Sequence, residues 1–374
     1  MTRTVLYFLF QPLDRVPPCI AQICALHDLG VRVAVLCGGC GEPTRQLLRR
    51  RGIPCHTFQV LQNRNRLVQK GRNFFNYRRA VRGFLKQYWS DSSVLWMGTE
   101  ESAIKMWPFV RNVHPCVLNA LEFFESDWYQ KAMKKISHKV DILTACQNVR
   151  ASYMVDWWHL ERKPYLLWNK PYSVPPARGD GTTPELRAAI EKLRGKKVLL
   201  YQGNISANRN LTQLAQALRE MDSDFFLAMA GWAYEDGVKD LSSIYPNTLY
   251  LGYFPAPSHL ELTSYATVAV AFSQDNCINN RYCAPNKIYE YAAYGIPMLC
   301  NTVPGLTDTV GRAGAAECVD FGDPAQVRDA LNRIEAGYDA YRQAALAFYE
   351  NTDNTPVIRQ IVEDAFSRTR AEKP

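Results

Sequence analysis

The stretch at residues 284–297, APNKIYEYAAYGIP, contains the start and stop signals of a short helix. Pro285 suits the first helical turn, because its missing N–H would have no intrahelical partner there in any case. Gly295 can adopt the left-handed conformation that ends a helix, and Pro297 prevents its continuation. The stretch therefore predicts a helix of roughly ten residues. Four of its side chains share one side: Lys287, Glu290, Tyr291 and Tyr294.

The segment before this helix places its N-terminus at a ligand-binding edge. The polar loop SQDNCINNRYCAPNK (273–287) follows the apolar stretch VAVAF (268–272), which predicts a buried strand. The helix would then begin at the carboxyl edge of a parallel sheet, where α/β folds bind ligands. Its N–H groups, its dipole and Lys287 favour a phosphate, whereas Glu290 can accept hydrogen bonds from a diol. These residues indicate a site for a phosphorylated sugar or nucleotide; an ordinary surface ion pair between Lys287 and Glu290 is the alternative.

Apolar runs alternate with segments of helical period along the chain, which is the pattern of parallel βαβ units. The predicted strands of the first half are TVLYFLF, VRVAVLC, SVLWMGT, CVLNAL and DILTAC. Those of the second half are KVLLYQG, FFLAMAG, TLYLGYF, VAVAFS and PMLCN. A chain of 374 residues also exceeds the size at which one core keeps growing. The sequence thus predicts an α/β fold with two doubly wound, Rossmann-like domains.

A Pro- and Gly-rich segment is predicted to join the two domains. We assign residues 1–172 to the N-terminal domain, 173–184 to the linker and 185–354 to the C-terminal domain, because NKPYSVPPARGDGTTPE (169–185) has no apolar period. No apolar run reaches the roughly 18 residues that a bilayer span needs. The first residues resemble a strand more than a signal peptide. We therefore expect a cytoplasmic protein.

The 11 cysteines are odd in number and several lie in apolar, strand-like runs, so most are expected to be free thiols. The exception is CGGC at 37–40, which could be a redox pair, half of a metal site, or simply a Gly-rich turn after a strand. No second C-x-x-C or H-x-x-H completes a tetrahedral set in the sequence. We expect no bound metal and no other cofactor.

Positive charge is concentrated in the first half of the chain. Residues 1–172 contain 25 Lys and Arg against 12 Asp and Glu, whereas the remainder contains 19 against 24. Residues 43–90 contain no acidic residue and include a helical pattern of aromatic and aliphatic side chains. Four cations fall largely on its other faces: Arg72, Arg79, Arg82 and Lys86.

A second basic segment, WYQKAMKKISHK (128–139), also combines lysines with aromatic residues. Basic amphipathic helices of this kind suit an anionic membrane surface. An ordinary solvated face is the alternative interpretation. Nucleic acid is disfavoured as a partner, because no recognisable binding motif accompanies the charge.

A second group of residues falls at another strand end in the C-terminal half. YQGNISANRNLTQLAQAL (201–218) predicts a strand, a turn and a helix, so Gly203, Asn204 and Arg209 lie at the carboxyl edge of the sheet. The turn lacks a full G-x-G-x-x-G and a Walker lysine. Together with the first helix, however, it brings Arg209 and Lys287 to one crevice, where two cations can hold a diphosphate.

From residue 197 to about residue 311 the chain resembles the GT-B glycosyltransferases, in particular the retaining family called glycosyltransferase family 4. The matching segments are YQGNIS, NLTQLAQAL, FFLAMAG, PNKIYEYAAYGIPMLCN and VPGLTDTV. The resemblance implies two Rossmann-like domains facing across a cleft, a nucleotide-sugar donor held mostly by the second domain, and no required metal. It also implies that the last helix, at about 355–374, packs back on the first domain.

The resemblance implies roles for individual residues. Glu290 matches the second glutamate of the family's paired-glutamate motif, which accepts hydrogen bonds from the ribose. Arg209 takes the place of the lysine that grips the donor diphosphate. Its usual arginine companion is Asn204 here, and Lys287 would supply the missing cation. The first glutamate of the pair falls at Tyr282, so the family's usual contact to the donor sugar is absent.

Further donor contacts follow from the same resemblance. Asp275, or backbone groups at 282–284, would substitute for the missing glutamate, and Gly305 would bring backbone N–H groups near the phosphates. The predicted catalytic residues are Arg209, Lys287 and Glu290. The complete predicted donor site is Gly203, Asn204, Arg209, Asp275, Tyr282, Ala284, Pro285, Asn286, Lys287, Ile288, Glu290 and Gly305.

Glycosyl transfer needs fixed positive charge beside the leaving diphosphate. In a retaining transfer the departing phosphate can take the acceptor's proton, so that no protein nucleophile is needed. An inverting enzyme needs a base in the first domain, and NALEFFESDW (119–128) offers candidates, with solvated acids at a helix start as the alternative. These acceptor-side candidates are Glu122, Glu125 and Asp127. His114 and His159 have no visible partner and are interpreted as structural.

The first hypothesis is a cytoplasmic glycosyltransferase, peripheral on the inner face of the membrane. It would move a sugar from a nucleoside-diphosphate sugar to a lipid-linked or polysaccharide acceptor, with retention. An epimerase or hydrolase on the same fold would need a cluster of acids that the sequence does not offer. The alternative from another class is a non-catalytic GT-B-like partner of another transferase, which binds a nucleotide sugar. The changes at Asn204 and Tyr282 permit it, whereas Glu290, Arg209 and Lys287 favour the enzyme.

Overall fold

The computed structural model describes residues 3–60, 65–205, 211–233 and 235–371. The chain divides into two compact units. Unit 1 contains Met1–Tyr172 and Asn354–Pro374, and unit 2 contains Ser173–Asp353. Each unit is built on one parallel sheet, so the predicted α/β class with two Rossmann-like sheets is confirmed.

Unit 1 is a sheet of parallel strands in the order β3-β2-β1-β4-β5-β6-β7, with helices in the connections. The strands are β1 Thr4–Phe8, β2 Arg32–Cys37, β3 Cys55–Thr57, β4 Ser93–Met97, β5 Cys116–Ala120, β6 Ile142–Ala145 and β7 Tyr165–Leu166. The helices are α1 Pro17–Asp28, α2 Glu42–Arg50, α3 Arg66–Tyr88, α4 Glu100–Val110, α5 Asp127–Ser137 and α6 Asn148–Trp158, with a 3₁₀ turn at Leu13–Arg15. Strands β4 and β5 are buried at every position, as strands covered on both faces must be.

Unit 2 repeats this arrangement with the strand order β10-β9-β8-β11-β12-β13. Its strands are β8 Val198–Gln202, β9 Phe226–Ala230, β10 Thr248–Gly252, β11 Val268–Ala271, β12 Met298–Cys300 and β13 Ala316–Cys318. Its helices are α7 Pro184–Glu191, α8 Leu211–Glu220, α9 Glu235–Ile244, α10 Leu260–Thr263, α11 Ile278–Arg281, α12 Asn286–Ala293, α13 Pro304–Leu306, α14 Pro324–Ala336 and α15 Tyr338–Asn351, with a π-helical turn at Thr307–Gly311.

The last helix, α16 Thr355–Ala371, belongs to unit 1 and contacts α1 and β7. The segment predicted as a linker is hydrogen-bonded to unit 2. The Pro175 carbonyl accepts from the Tyr294 hydroxyl at 3.0 Å, and the Arg178 N–H donates to Ser264 Oγ at 2.8 Å. No helix in the described part of the chain combines the length and apolar character that a membrane crossing requires.

The topological switch point of each sheet lies where the strand order reverses, between β1 and β4 in unit 1 and between β8 and β11 in unit 2. Connections leave the carboxyl ends of these strands in opposite directions there and open a crevice. In unit 2 this edge receives the loop after β8 and the segment that leads into α12. The predicted donor residues that the structure describes are therefore on the side of the sheet where α/β folds bind ligands.

A buried acid, Glu100, begins helix α4 at the carboxyl edge of the unit 1 sheet. Its Oε2 accepts a hydrogen bond from the Leu121 N–H at 3.1 Å. Burial, followed by the negative charge of Glu122, raises the pKa of the Glu100 carboxyl from 4.5 to about 8. The folded protein therefore keeps a proton on Glu100 that the unfolded chain loses near its ordinary pKa.

This proton linkage predicts a pH dependence of stability. Between pH 4.5 and about 8 the native state binds more protons than the unfolded state, so the free energy of unfolding falls as pH rises. Glu100→Gln removes the titrating group and should gain up to roughly 5 kcal/mol relative to the parent across this window. Urea unfolding at several pH values measures the difference. Glu125→Gln, at an exposed position of the same unit, is the control; a Glu100→Gln profile parallel to the parent would contradict the linkage.

Candidate functional site

Helix α12 begins at Asn286 and has Pro285 as its N-cap. It ends at Ala293, and Gly295 takes the predicted left-handed conformation just beyond the helix, with a φ of 64°. The N–H of Gly295 donates to the Ala292 carbonyl at 2.9 Å, and the N–H of Ile296 donates to the Tyr291 carbonyl at 3.1 Å. These two bonds form a Schellman motif, which fixes where the helix stops. The N-terminal turn of α12 is thereby placed at the carboxyl edge of the unit 2 sheet.

Lys287 lies in this first turn and is only 9% exposed. Its Nζ lies 4.3 Å from the centroid of the Tyr201 ring, at the end of β8. A cation over an aromatic face is stabilised by roughly 2 kcal/mol when it is desolvated. The Tyr201 hydroxyl donates to the Asn204 carbonyl at 3.0 Å, which fixes the ring. The cation is thus held against the strand whose loop carries the second group of predicted donor residues.

Glu290, one turn further along α12, is 4% exposed. Its Oε1 lies 3.2 Å from Nε2 of His259, the residue that precedes α10. Because Lys287 and Glu290 are both buried, the alternative interpretation of a surface ion pair is wrong. The sequence analysis missed His259, since 30 residues separate it from Glu290 and no motif marks it.

A network of hydrogen bonds holds His259 in position. Its carbonyl accepts from Gln202 Nε2 at 3.3 Å and from the Thr263 hydroxyl at 3.4 Å. The same Thr263 hydroxyl donates to Gln202 Oε1 at 3.0 Å, and the Gln202 N–H donates to the Tyr291 hydroxyl at 3.2 Å. Glu290 is therefore connected to the end of β8 as well as to its own helix.

Gly305 packs directly against the segment before α12. A Cβ at this position would lie 2.4 Å from the Cys283 backbone nitrogen, which is closer than real contacts allow. Glycine is therefore required for the close approach of α13 to residues 282–284. Ala284 is buried beneath this contact. The proposed role of Gly305 near phosphates stays a prediction; the geometry gives it a packing role.

The position of the missing first glutamate, Tyr282, lies at the end of α11 and is half-buried. Asp275, one of its predicted substitutes, already pairs with Arg281, whose Nε lies 2.6 Å from Oδ1. Asn301, at the end of β12, holds the start of this loop. It accepts from the Ser273 N–H at 3.0 Å and donates to the Ser273 carbonyl at 2.7 Å. Asn301 is a second residue that the sequence analysis missed.

The loop after β8 contains Gly203 and Asn204, and Arg209 lies outside the described residues. Gly203 has φ 137°, and its N–H donates to the Ala230 carbonyl at 2.9 Å. A Cβ on Gly231, at the end of β9, would lie 1.8 Å from the Gly203 carbonyl oxygen. Two glycines at neighbouring strand ends thus let the β8 loop lie directly on the edge of the sheet. Asn204 is exposed there.

The acceptor-side candidates of unit 1 lie between β5 and the start of α5. Glu122 is about half exposed, and its Oε2 lies 3.7 Å from Nη1 of the buried Arg150. Glu125 and Asp127 are exposed, and Asp127 is the first residue of α5. Glu100 lies at the same edge and is deeper than all three. Its burial was not visible in the sequence, because an acid at a helix start is ordinarily solvated.

Comparison with protein families identifies the second half of the chain. The family model described as glycosyl transferases group 1 matches residues 182–351. This range contains the β8 loop, α12 and the Gly305 contact. No curated protein sequence matches the chain.

Solved structures extend the likeness to the whole chain. A glycosyltransferase from Rickettsia africae ESF-5 superposes with a TM-score of 0.66 at 13% identity, covering 100% of each chain. HepE from Anabaena, solved in complex with UDP, gives 0.66 at 12% identity, over 98% of this chain and 100% of that one. Sucrose-phosphate synthase from Thermosynechococcus elongatus gives 0.68 at 14% identity, over 99% and 100%. At identities this low, the superpositions show a shared fold alone. Residues 182–351 therefore match the model of the group 1 glycosyl transferases, and the chain as a whole shares the fold of the GT-B glycosyltransferases.

Proposed function

We propose that the protein transfers a sugar from a nucleoside-diphosphate sugar to a lipid-linked or polysaccharide acceptor, with retention. One observation carries this proposal. Lys287 and Glu290 are buried one turn apart on α12, the helix that begins at the carboxyl edge of the unit 2 sheet. Charged groups are buried at such a place where a ligand or a fixed partner meets them.

The carboxylate is suited to the ribose of the donor. A carboxylate accepts two hydroxyl hydrogen bonds well, and bonds to a charged acceptor contribute roughly 1.5–3 kcal/mol each. His259 fixes one oxygen of Glu290, so that the group does not have to be ordered when the ligand binds. We assign Glu290 to ribose binding, and His259 supports it.

The cation is suited to the diphosphate. Breaking the bond between sugar and phosphate leaves negative charge on the leaving group, and fixed cations in a dry site stabilise it. Lys287 and the N-terminal amides of α12 would meet this charge, together with Arg209. With these groups the proposed transfer needs no metal. The departing phosphate can accept the proton of the acceptor hydroxyl on the same face, so that a retaining transfer needs no protein nucleophile.

One relative in the structural comparison, solved with two ligands, supports a uridine nucleotide as the first donor to test. Structures of Anabaena HepE were solved in complex with UDP and in complex with UDP-glucose. The identity of the sugar depends on loops around Tyr282, where the family glutamate is replaced. UDP and UDP-glucose are therefore the starting ligands, with GDP and ADP for comparison.

The donor site predicts a differential loss of nucleotide affinity. Glu290→Gln should lower the affinity for both UDP and uridine by roughly 10- to 100-fold, because both ligands carry the ribose. Lys287→Met should lower the affinity for UDP by a similar factor and leave the affinity for uridine unchanged, because only UDP carries the diphosphate. Titration calorimetry measures both affinities, and thermal shift provides the screen.

Glu350→Gln and Lys192→Met remove the same charges at exposed positions of unit 2 and should leave both affinities unchanged. If Lys287→Met lowered the affinities for UDP and uridine equally, the assignment of Lys287 to the diphosphate would be wrong. A folded parent protein that binds no nucleotide would contradict the whole proposed donor site.

We also propose that unit 1 docks on an anionic membrane surface. One face of α3 is exposed along its length and contains two apolar side chains, Val68 and Phe75, which are 45% and 67% exposed. Its other members are Arg72, Arg79, Arg82 and Lys86, at steps of three and four residues. An aromatic ring and an aliphatic side chain beside four cations fit the interface between lipid headgroups and acyl chains. The buried face of α3 contains Tyr77, Val81 and Phe84, as the apolar pattern predicts.

This face predicts salt-sensitive membrane binding. The parent should sediment with phosphatidylglycerol-containing vesicles and be released by salt, because exposed charges are screened. Phe75→Ser removes apolar contact without touching the core and should weaken binding roughly 10-fold at every salt concentration. Trp232→Ser removes an exposed aromatic ring from unit 2 and is the control. Binding that is unaffected by Phe75→Ser, or absent at low salt, would leave α3 as an ordinary solvated helix.

The second candidate function is a non-catalytic partner that binds a nucleotide sugar. It is favoured by Asn204 and Tyr282, which stand where the resemblance expects an arginine and a glutamate. Turnover separates the two candidates. Release of UDP from UDP-glucose in the presence of membranes, abolished by Glu290→Gln, supports the enzyme, whereas nucleotide binding without release by any donor supports the partner.

A further inference from the structure

We propose that His114, Cys116 and Asp141 form a binding site for a divalent metal ion of the zinc class in unit 1. Each side chain offers one ligand atom, and these atoms all lie within 4.8 Å of one another. Within the described ranges no other group of three His, Cys, Asp or Glu side chains meets this separation. The site is separate from the proposed donor site, which belongs to unit 2.

The parallel pairing of β5 and β6 creates this cluster. Val117 pairs with Ile142, so that the preceding residues, Cys116 and Asp141, lie side by side at the amino ends of the two strands. The Cys116 N–H donates to Asp141 Oδ2 at 2.8 Å. His114 adds its ring from the chain entering β5, with Nδ1 2.8 Å from the same oxygen. The interpretation of His114 as a residue without a partner is therefore wrong.

The three ligand atoms are of the types that a metal ion of borderline softness prefers. A thiol sulfur, an imidazole nitrogen and a carboxylate oxygen together suit Zn²⁺ and its neighbours, whereas Mg²⁺ and Ca²⁺ prefer oxygen alone. Zinc bond lengths of roughly 2.0–2.3 Å imply separations of roughly 3.3–3.8 Å between the ligand atoms of a tetrahedral site. Cys116 Sγ lies 3.9 Å from His114 Nδ1, close to this range. The nitrogen and the carboxylate oxygen, at 2.8 Å, have to separate by about half an ångström.

Charge and access are also compatible with a metal ion. On binding, the Cys116 thiol releases one proton to solvent and His114 coordinates as the neutral ring, so that one thiolate and one carboxylate balance a dication. The His114 side chain is 32% exposed, which leaves a path for the ion and room for water as a fourth ligand. Cys116 itself is buried, so that its sulfur faces only this cluster and the core.

A side chain behind the cluster, Arg368, would orient the Asp141 carboxylate. Nη1 of Arg368, on α16, lies 3.7 Å from Asp141 Oδ1, the oxygen that does not contact His114. Such outer contacts fix the orientation of metal ligands. An ion here would link β5, β6 and α16 at the amino edge of the unit 1 sheet. That edge is opposite to the one where α/β folds bind ligands, so we assign the ion a stabilising role.

The test uses the full-length protein after treatment with a chelator. Zn²⁺ is titrated against a chromophoric competitor, and Co²⁺ is used as the spectroscopic probe. We expect one ion per chain, a thiolate-to-cobalt charge-transfer band, and a melting temperature that rises with metal. Cys116→Ser should abolish the charge-transfer band, and His114→Ala should weaken affinity roughly 10-fold or more. Because His114 is partly exposed, this second variant should fold even if Cys116→Ser does not.

Cys55→Ser is the matched control, because the Cys55 and Cys37 sulfur atoms lie 3.7 Å apart and form a competing pair of thiols in unit 1. A cobalt band that survives in Cys116→Ser but disappears in Cys55→Ser would overturn the proposal, as would a folded parent that binds no zinc. The UDP-induced thermal shift, measured in parallel, should persist in the chelated protein and in His114→Ala. Its absence from the parent would count against the donor site and leave the metal site unaffected.

Discussion

The carboxylate of Glu290 lies beneath the surface of unit 2, and a carboxylate at that depth is tolerated only when a polar or charged partner faces it. His259 is this partner, and its own carbonyl is held by Gln202 and Thr263. The orientation of the acid therefore depends on the end of β8 and on α10, and not only on α12. A donor that meets Glu290 would meet an acceptor already fixed in place, so that little ordering is required on binding.

Close approach of backbones builds the rest of this edge. Gly231 lets the Gly203 carbonyl lie on the end of β9, and Gly305 lets α13 lie on the Cys283 backbone. A side chain at either glycine would displace a loop rather than fill a gap, because the nearest atoms belong to the main chain. The loops of the site are thereby positioned by contacts between glycines and main-chain atoms, and these contacts involve none of the proposed ligand-binding side chains. Steric exclusion of Cβ atoms and the hydrogen bonds of His259 act together to keep the edge rigid.

The sequence analysis predicted the elements that follow from local, repeating patterns. It missed contacts between residues that are far apart in the chain. The long apolar strands and the end of α12 just before Gly295 follow from local patterns, and both were predicted. Strands β3, β7 and β13 were missed, because two or three residues at a sheet edge carry no apolar period. Glu290 and Lys287 were found through a motif, whereas His259 was not, because only the packing of α10 brings it to Glu290. The exposed Phe75 was missed for a similar reason: an aromatic residue in an amphipathic pattern is normally assigned to the core.

The two units place their positive charge differently. Residues 1–172 contain an excess of Lys and Arg, and on α3 this charge is exposed, where solvent and salt screen it. Unit 2 has no such excess, and net charge would not draw a diphosphate to it. Lys287 acts differently, because a cation 9% exposed and packed on Tyr201 lies in a medium of low dielectric constant, where its field is screened least. Under the proposed function, one buried cation beside helix N–H groups would recognise an anion on an acidic domain, whereas many exposed cations would provide a weak and reversible attraction to an anionic surface.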